Sequence, residues 1–253
     1  MRLRSYIRKI LAETIGDITP GKKMIFMAGA PGSGKSTVLK QLGIIDQFSI
    51  INPDDWYEPF LIDAGISLNI GEFTQRYFDI IAAVKEGKEA GLDTTELEAK
   101  RAELRPTMSE NMKLFSKARK LAAMEAARLS TEGKDFIIDG TGGNYKQIAN
   151  LNSTYQDLGY VTAMIYVSIP EETSVQRNDA RGEQGKRRIH PSAVRRSHQS
   201  VSSNLQSYSD LFGSNFFVVD NSGTFEEYQN NIEEARGSIE VFLNPSNNIS
   251  SHR

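Results

Sequence analysis

"KKMIFMAGAPGSGKST" occupies residues 22–37. Its first half is a short apolar run that ends at glycine, the pattern of a strand buried on both faces. Its second half, Gly29–Ser36, fits G-x-x-x-x-G-K-[ST] in full, and Lys35–Leu42 reads as a helix. Strand, glycine loop and helix in this order form a cradle for phosphate. Gly32 and Gly34 let backbone N–H groups turn inward, and the positive end of the following helix adds to the field. Lys35 is placed to reach the β- and γ-phosphates, and Ser36 to offer its hydroxyl to Mg²⁺. Gly29, Ala30, Pro31, Gly32, Ser33, Gly34, Lys35, Ser36 and Thr37 are the expected contacts of ATP.

Working outward, four more apolar runs read as strands: 47–55, 135–140, 160–170 and 215–222. Helical patterns separate them, including Tyr145–Leu158 with Gly159 as its stop, and a helix from Pro191 to about Tyr208. Thr224 and Glu227 have capping-box spacing for a last helix. Alternation of this kind predicts an α/β domain spanning 1–253, a parallel sheet of about five strands covered by helices on both faces. Between Asp55 and Asp135 no strong strand appears. Residues 60–134 read instead as a helical insertion, with helices Glu72–Lys88 and Ser109–Leu129, suited to recognising an acceptor. The insertion carries twelve acidic and twelve basic residues. "MRLRSYIRKILAETI" at the start reads as an amphipathic helix packed on the domain, and the polar tail 244–253 as disordered.

Composition narrows the function. A formal net charge of −2 and a pI near 6.0 argue against a protein built to grip long nucleic acid. The chain has no cysteine, which suits a reducing cytosol. No apolar run approaches the length of a membrane span, so a cytoplasmic protein with no membrane partner is expected.

Chemistry concentrates in four further places. "NPDDWYEP", residues 52–59, ends the second strand with Asp54 and Asp55 side by side. On an extended chain they point to opposite faces, so only one should serve the site. Trp56 beside them either stacks on an acceptor base or packs. "RNDARGEQGKRRIHPSAVRR", residues 177–196, carries seven Lys/Arg against two acids. Arg177 and Arg181 are four apart and share a helix face, and 182–190 reads as a lid that brings arginines over a nucleotide. Asp139 ends the third strand, where a carboxylate can hold Mg²⁺ or orient an acceptor, with Thr141 as a hydrogen-bonding neighbour. "DNS", residues 220–222, places Asn221 in a loop expected to line the base pocket.

"GAPGSGKST", "INPDD", "IIDGT", "RNDARG" and "DNS" together, across about residues 22–222, resemble the small P-loop kinases of the zeta-toxin and polynucleotide-kinase group. The resemblance implies a P-loop NTPase-type fold and an ATP- and Mg²⁺-dependent phosphotransferase. It implies that Asp54, directly after "NP", is the base for the acceptor hydroxyl, and that Arg177 and Arg181 contact the transferring phosphate. The chain departs from the group in two places. Gly143 stands where zeta toxins carry arginine, and Trp56 and Tyr57 follow the aspartates where both groups tend to carry one. Such arginines grip phosphate-bearing acceptors, so the acceptor stays open. A nucleotide or nucleotide sugar leads, and a short nucleic-acid end or a nucleoside follows. An ATP-binding switch or assembly protein, or a kinase fold kept to bind a protein partner such as an antitoxin, are the alternatives of another class.

Overall fold

The computed structural model describes residues 21–244. The expected N-terminal helix lies outside the described residues, as does the tail beyond residue 244. Five parallel strands form one sheet in the order β2-β3-β1-β4-β5: β1 Lys23–Ala28, β2 Ser49–Ile51, β3 Phe136–Asp139, β4 Val161–Ser168 and β5 Phe216–Asp220. The helices, in chain order, are α1 Lys35–Gln41, α2 Asp54–Asp63, α3 Ile70–Glu89, α4 Thr95–Thr131, α5 Tyr145–Asp157, α6 Glu171–Glu183, α7 Pro191–Ser202, α8 Leu205–Phe212 and α9 Phe225–Leu243. This is a P-loop NTPase-type α/β fold.

The inner strands β1, β3 and β4 are apolar on both faces because both are covered. Ile25 and Met27 of β1, with Ile165 and Val167 of β4, pack against Val38 and Leu39 of α1 and Ile232 and Ile239 of α9. Met24, Phe26, Met164 and Tyr166 face the other way, onto Ala126 of α4, Tyr155 of α5 and Tyr208 of α8. Alternate residues thus enter two separate cores, so a one-residue slip in register would exchange every contact on both faces.

Three expectations about elements need correction. The second strand stops at Ile51, and Asp54 and Asp55 begin α2 instead of ending a strand. Pro53, with φ −54° and ψ −26°, supplies the helical turn that starts α2. The helix expected over Ser109–Leu129 runs from Thr95 to Thr131 through Pro106, where proline usually signals a break. The helix expected from Pro191 to Tyr208 is two helices. At their junction the Asn204 side chain turns away to donate to the carbonyls of Gly142 and Gly143, at 3.2 and 3.0 Å.

The insertion is a helical layer beside β2. Tyr57 and Leu61 of α2, Ile70 of α3 and Ala118 of α4 form its small core. Tyr57 also donates a buried hydrogen bond to Asn111 of α4, tying the start of α2 to the longest helix.

Candidate active site

The glycine loop sits between β1 and α1, braced from three sides. The Gly29 N–H donates to the carbonyl of Thr141 at 3.0 Å. Ser174 of α6 donates to the carbonyl of Pro31 at 2.5 Å, and the Asn221 amide donates to the carbonyl of Ser33 at 2.8 Å. Gly32 and Gly34 hold φ of 80° and 88°, where a side chain would be strained. A Cβ on Gly32 would also lie 2.8 Å from the Ser174 carbonyl, and one on Gly34 2.7 Å from the Asn221 amide. Lys35 donates to the Gly29 carbonyl at 3.1 Å, folded back across its own loop.

Sheet order fixes what faces this loop. Strand β3 lies between β1 and β2, pairing Met27 with Asp139 and Ile51 with Ile138. Asp139 therefore ends beside the phosphate loop on one side and the start of α2 on the other. It is 8% exposed, and burial pushes its carboxyl above the usual range while the Lys35 charge pulls it back. Its Oδ2 accepts from the Asn52 amide at 3.0 Å. Its Oδ1 is buried with no hydrogen-bond partner. A buried carboxylate oxygen without a donor and the exposed hydroxyl of Ser36 at the start of α1 are both hard oxygen donors of the kind that Mg²⁺ prefers. Those two residues fit a metal held between loop and β3.

Asp54 and Asp55 are distinguished by their surroundings, not by strand faces. Asp54, in the first turn of α2, pairs with Arg187 from the segment between α6 and α7. Asp55 is exposed, without an ion pair of its own among the described residues. Partial loss of solvent raises its carboxyl, and the charges of Asp54 and Glu58 raise it further.

The arginines divide the work. Arg177 lies against the phosphate loop at Gly32, and its Nη2 donates to the carbonyl of Asn221, just after β5, at 3.4 Å. Arg181, one turn on, reaches Glu58 of α2 at 3.2 Å. The two share a face of α6, as their spacing predicts, and span the gap between loop and α2. Residues 187 and 188, in the segment expected as a lid, contact α2 and the insertion. Arg187 pairs with Asp54 and, at 3.5 Å, with Glu58. Arg188 pairs with Glu72 and Asp179 at 2.7 and 2.9 Å, and its N–H donates to the Leu68 carbonyl. The Asn178 side chain clasps both the N–H and the carbonyl of Ile189.

Thr141 and Trp56 are placed less directly. Thr141 is exposed, and its hydroxyl accepts a 3.4 Å hydrogen bond from the Gly143 N–H. Trp56 is half-buried and packs against both the sheet core and the core of the insertion, the packing role that its position allowed. Sequence reading missed Asn52, Glu58 and the position of Arg187. An asparagine directly before proline at the head of a helix is a turn signal and pointed to Asn52. Nothing in spacing pointed to Arg187, which meets Asp54 across 133 residues.

A family model described as AAA domain matches residues 24–203, well over half of the chain. The chain belongs to this AAA-domain family. No curated protein matches it. Among solved structures, this AAA-domain chain is similar to a protein of Chloroflexus aurantiacus described as a "putative kinase", at 15% identity and TM-score 0.53, covering 89% of this chain and 99% of the other. Two weaker likenesses are to the Pnkp1/Rnl/Hen1 RNA repair complex and to the PezAT toxin–antitoxin system of Streptococcus pneumoniae. The first has 19% identity, TM-score 0.47 and coverage of 75% and 47%; the second has 12%, 0.45 and coverage of 98% and 96%. The likeness to the Chloroflexus aurantiacus protein is one of fold. Among the described residues, no helix is long and apolar enough to cross a membrane.

Proposed function

We propose that this AAA-domain protein is an ATP-dependent phosphotransferase that moves the γ-phosphate to the hydroxyl of a small molecule, a nucleotide sugar or similar compound. One observation carries the reading. The first-turn carboxylate Asp54 stands on the far side of Asp139 from the phosphate loop, with Arg177 and Arg181 bridging the gap. A protein that only hydrolyses ATP slowly needs to position water; it has no need of a carboxylate on a separate helix beside a helical insertion.

In this mechanism Lys35 leaves the Gly29 carbonyl for the β- and γ-phosphates, and the loop N–H groups hold their oxygens. Ser36 and Asp139 would hold Mg²⁺, which supplies charge neutralisation when bound. Asp54 accepts the proton of the acceptor hydroxyl as its oxygen bonds to phosphorus. The bond from phosphorus to the bridging oxygen breaks, and ADP leaves. Arg177 and Arg181 offset the charge that spreads over the transferring group. Asn221, between loop and β5, is placed for the base side of the nucleotide. The insertion 60–134 selects the acceptor. Its balanced charge favours a small acceptor over a nucleic-acid end.

Exchange of Asp54→Asn tests the reading. Binding of a non-hydrolysable ATP analogue should be unchanged while transfer falls by about 10²–10⁴-fold, the usual worth of general-base help. Transfer at the wild-type rate would remove Asp54 from the role.

A further inference from the structure

Asn52 occupies the junction between the two carboxylates on which the proposed chemistry depends. Three of its polar atoms are committed. Its Nδ2 donates to Asp139 Oδ2 at 3.0 Å, its Oδ1 accepts from the Asp54 N–H at 3.0 Å, and its carbonyl accepts from the Asp55 N–H at 3.0 Å. Register explains the meeting. Ile51 pairs with Ile138, so the next residue of each chain, Asn52 and Asp139, emerge side by side where the ladder ends. Pro53 then turns the chain into α2, and the Asn52 side chain satisfies an N–H of its first turn, one of the donors that a helix start leaves unpaired.

We propose that Asn52 is a positioning residue that sets Asp139 and Asp54 in register, directing Asp139 Oδ1 toward the metal side while anchoring the base helix to the same point. A primary amide meets both demands at once through separate atoms. It donates to one carboxylate and accepts from the backbone beside the other. Because Oδ2 is occupied by Asn52 and Oδ1 has no donor, the amide decides which oxygen remains open. Aspartate at position 52 would keep the helix cap but lose the donor and set a second negative charge against Asp139. Alanine would lose both bonds.

This inference rests on the phosphotransferase reading for its catalytic consequence, but its test has a readout that does not. Affinity for adenylyl imidodiphosphate is measured at increasing Mg²⁺ in the full chain, for wild type, Asn52→Asp and Asn52→Ser, with a thermal melt of each. Asn52→Asp should melt within a few degrees of wild type, since the cap survives. Its Mg²⁺ requirement for tight analogue binding should rise by about 10–100-fold, the usual cost of removing a partner from a metal-holding side chain. Asn52→Ser, which keeps a short capping hydroxyl, should show the same rise and covers the case in which the aspartate variant folds poorly. With an acceptor in hand, kcat should fall while the KM for the acceptor moves by less than threefold. A Mg²⁺ dependence unchanged from wild type in folded variants would overturn the inference. Absence of transfer by the wild type would count against the phosphotransferase reading and leave the Mg²⁺ readout standing.

Discussion

Asp54 carries its ion pair from Arg187, whereas Asp55 faces solvent with two like charges near it. These surroundings give the two acids opposite expected responses. Asp54→Asn should lose transfer. Asp55→Asn should keep it within a few-fold, and a loss equal to that of Asp54→Asn would reverse the assignment. Stability adds a second readout. A carboxyl whose folded pKa lies above its unfolded value holds more protons when folded, so its cost is absent in acid and grows as pH rises through the carboxylate range. Asp55→Asn should therefore melt at or above wild type at pH 7.5, with the gap closing as the melt is repeated toward pH 4. A variant that melts lower at pH 7.5 would mean that Asp55 caps α2 more than it repels its neighbours. At this scale the phosphate loop was readable because its glycines and lysine fall within the eight residues Gly29–Ser36. Choosing between Asp54 and Asp55 was not readable from the pair itself. The supposed alternation of an extended chain does not apply in the first turn of a helix, and the distinguishing contact comes from a distant segment.

The segment 184–190 and helix α2 act as one unit at the level of elements. Arg187 is largely buried, its side chain 15% exposed, lying over the Tyr57 ring and against Asp54 and Glu58. Arg187→Ala should loosen this seam. Amide exchange across 186–189 should speed up by about tenfold, ~1.4 kcal/mol, at the lower edge of what a hydrogen bond to a charged group contributes. Exchange unchanged at those amides would mean that Arg188 and Asn178 hold the segment without it. Helix boundaries show where local signals stop. The helix expected to begin at Ser109 begins at Thr95 and continues through Pro106, just beyond which Met108 and Asn111 are buried and Asn111 accepts from Tyr57 of α2. Ser203 and Asn204 gave no signal as strong as proline, yet they do divide α7 from α8.

For the whole molecule, sheet order is what brings the parts together. The alternation of apolar runs with helical patterns predicted a parallel five-strand sheet, since a strand covered on both faces reads as a continuous apolar run. It did not predict that β3 lies between β1 and β2, which is the arrangement that puts Asp139 between the phosphate loop and Asp54. Nucleotide binding should stabilise this whole assembly. At about 100 times its Kd, Mg²⁺-ATP should add ~2.7 kcal/mol, read as a rise in Tm of several degrees. Lys35→Ala should abolish most of that rise, and a full shift in the variant would separate binding from the loop. The measurement that tests the central claim most directly uses γ-labelled ATP with a panel of nucleotide sugars, nucleosides and 5′-hydroxyl oligonucleotides, comparing wild type with Asp54→Asn. The account expects label to enter one acceptor class with wild type and to be lost from it with Asp54→Asn. Label released only as free phosphate, or the same transfer rate in both proteins, would contradict it.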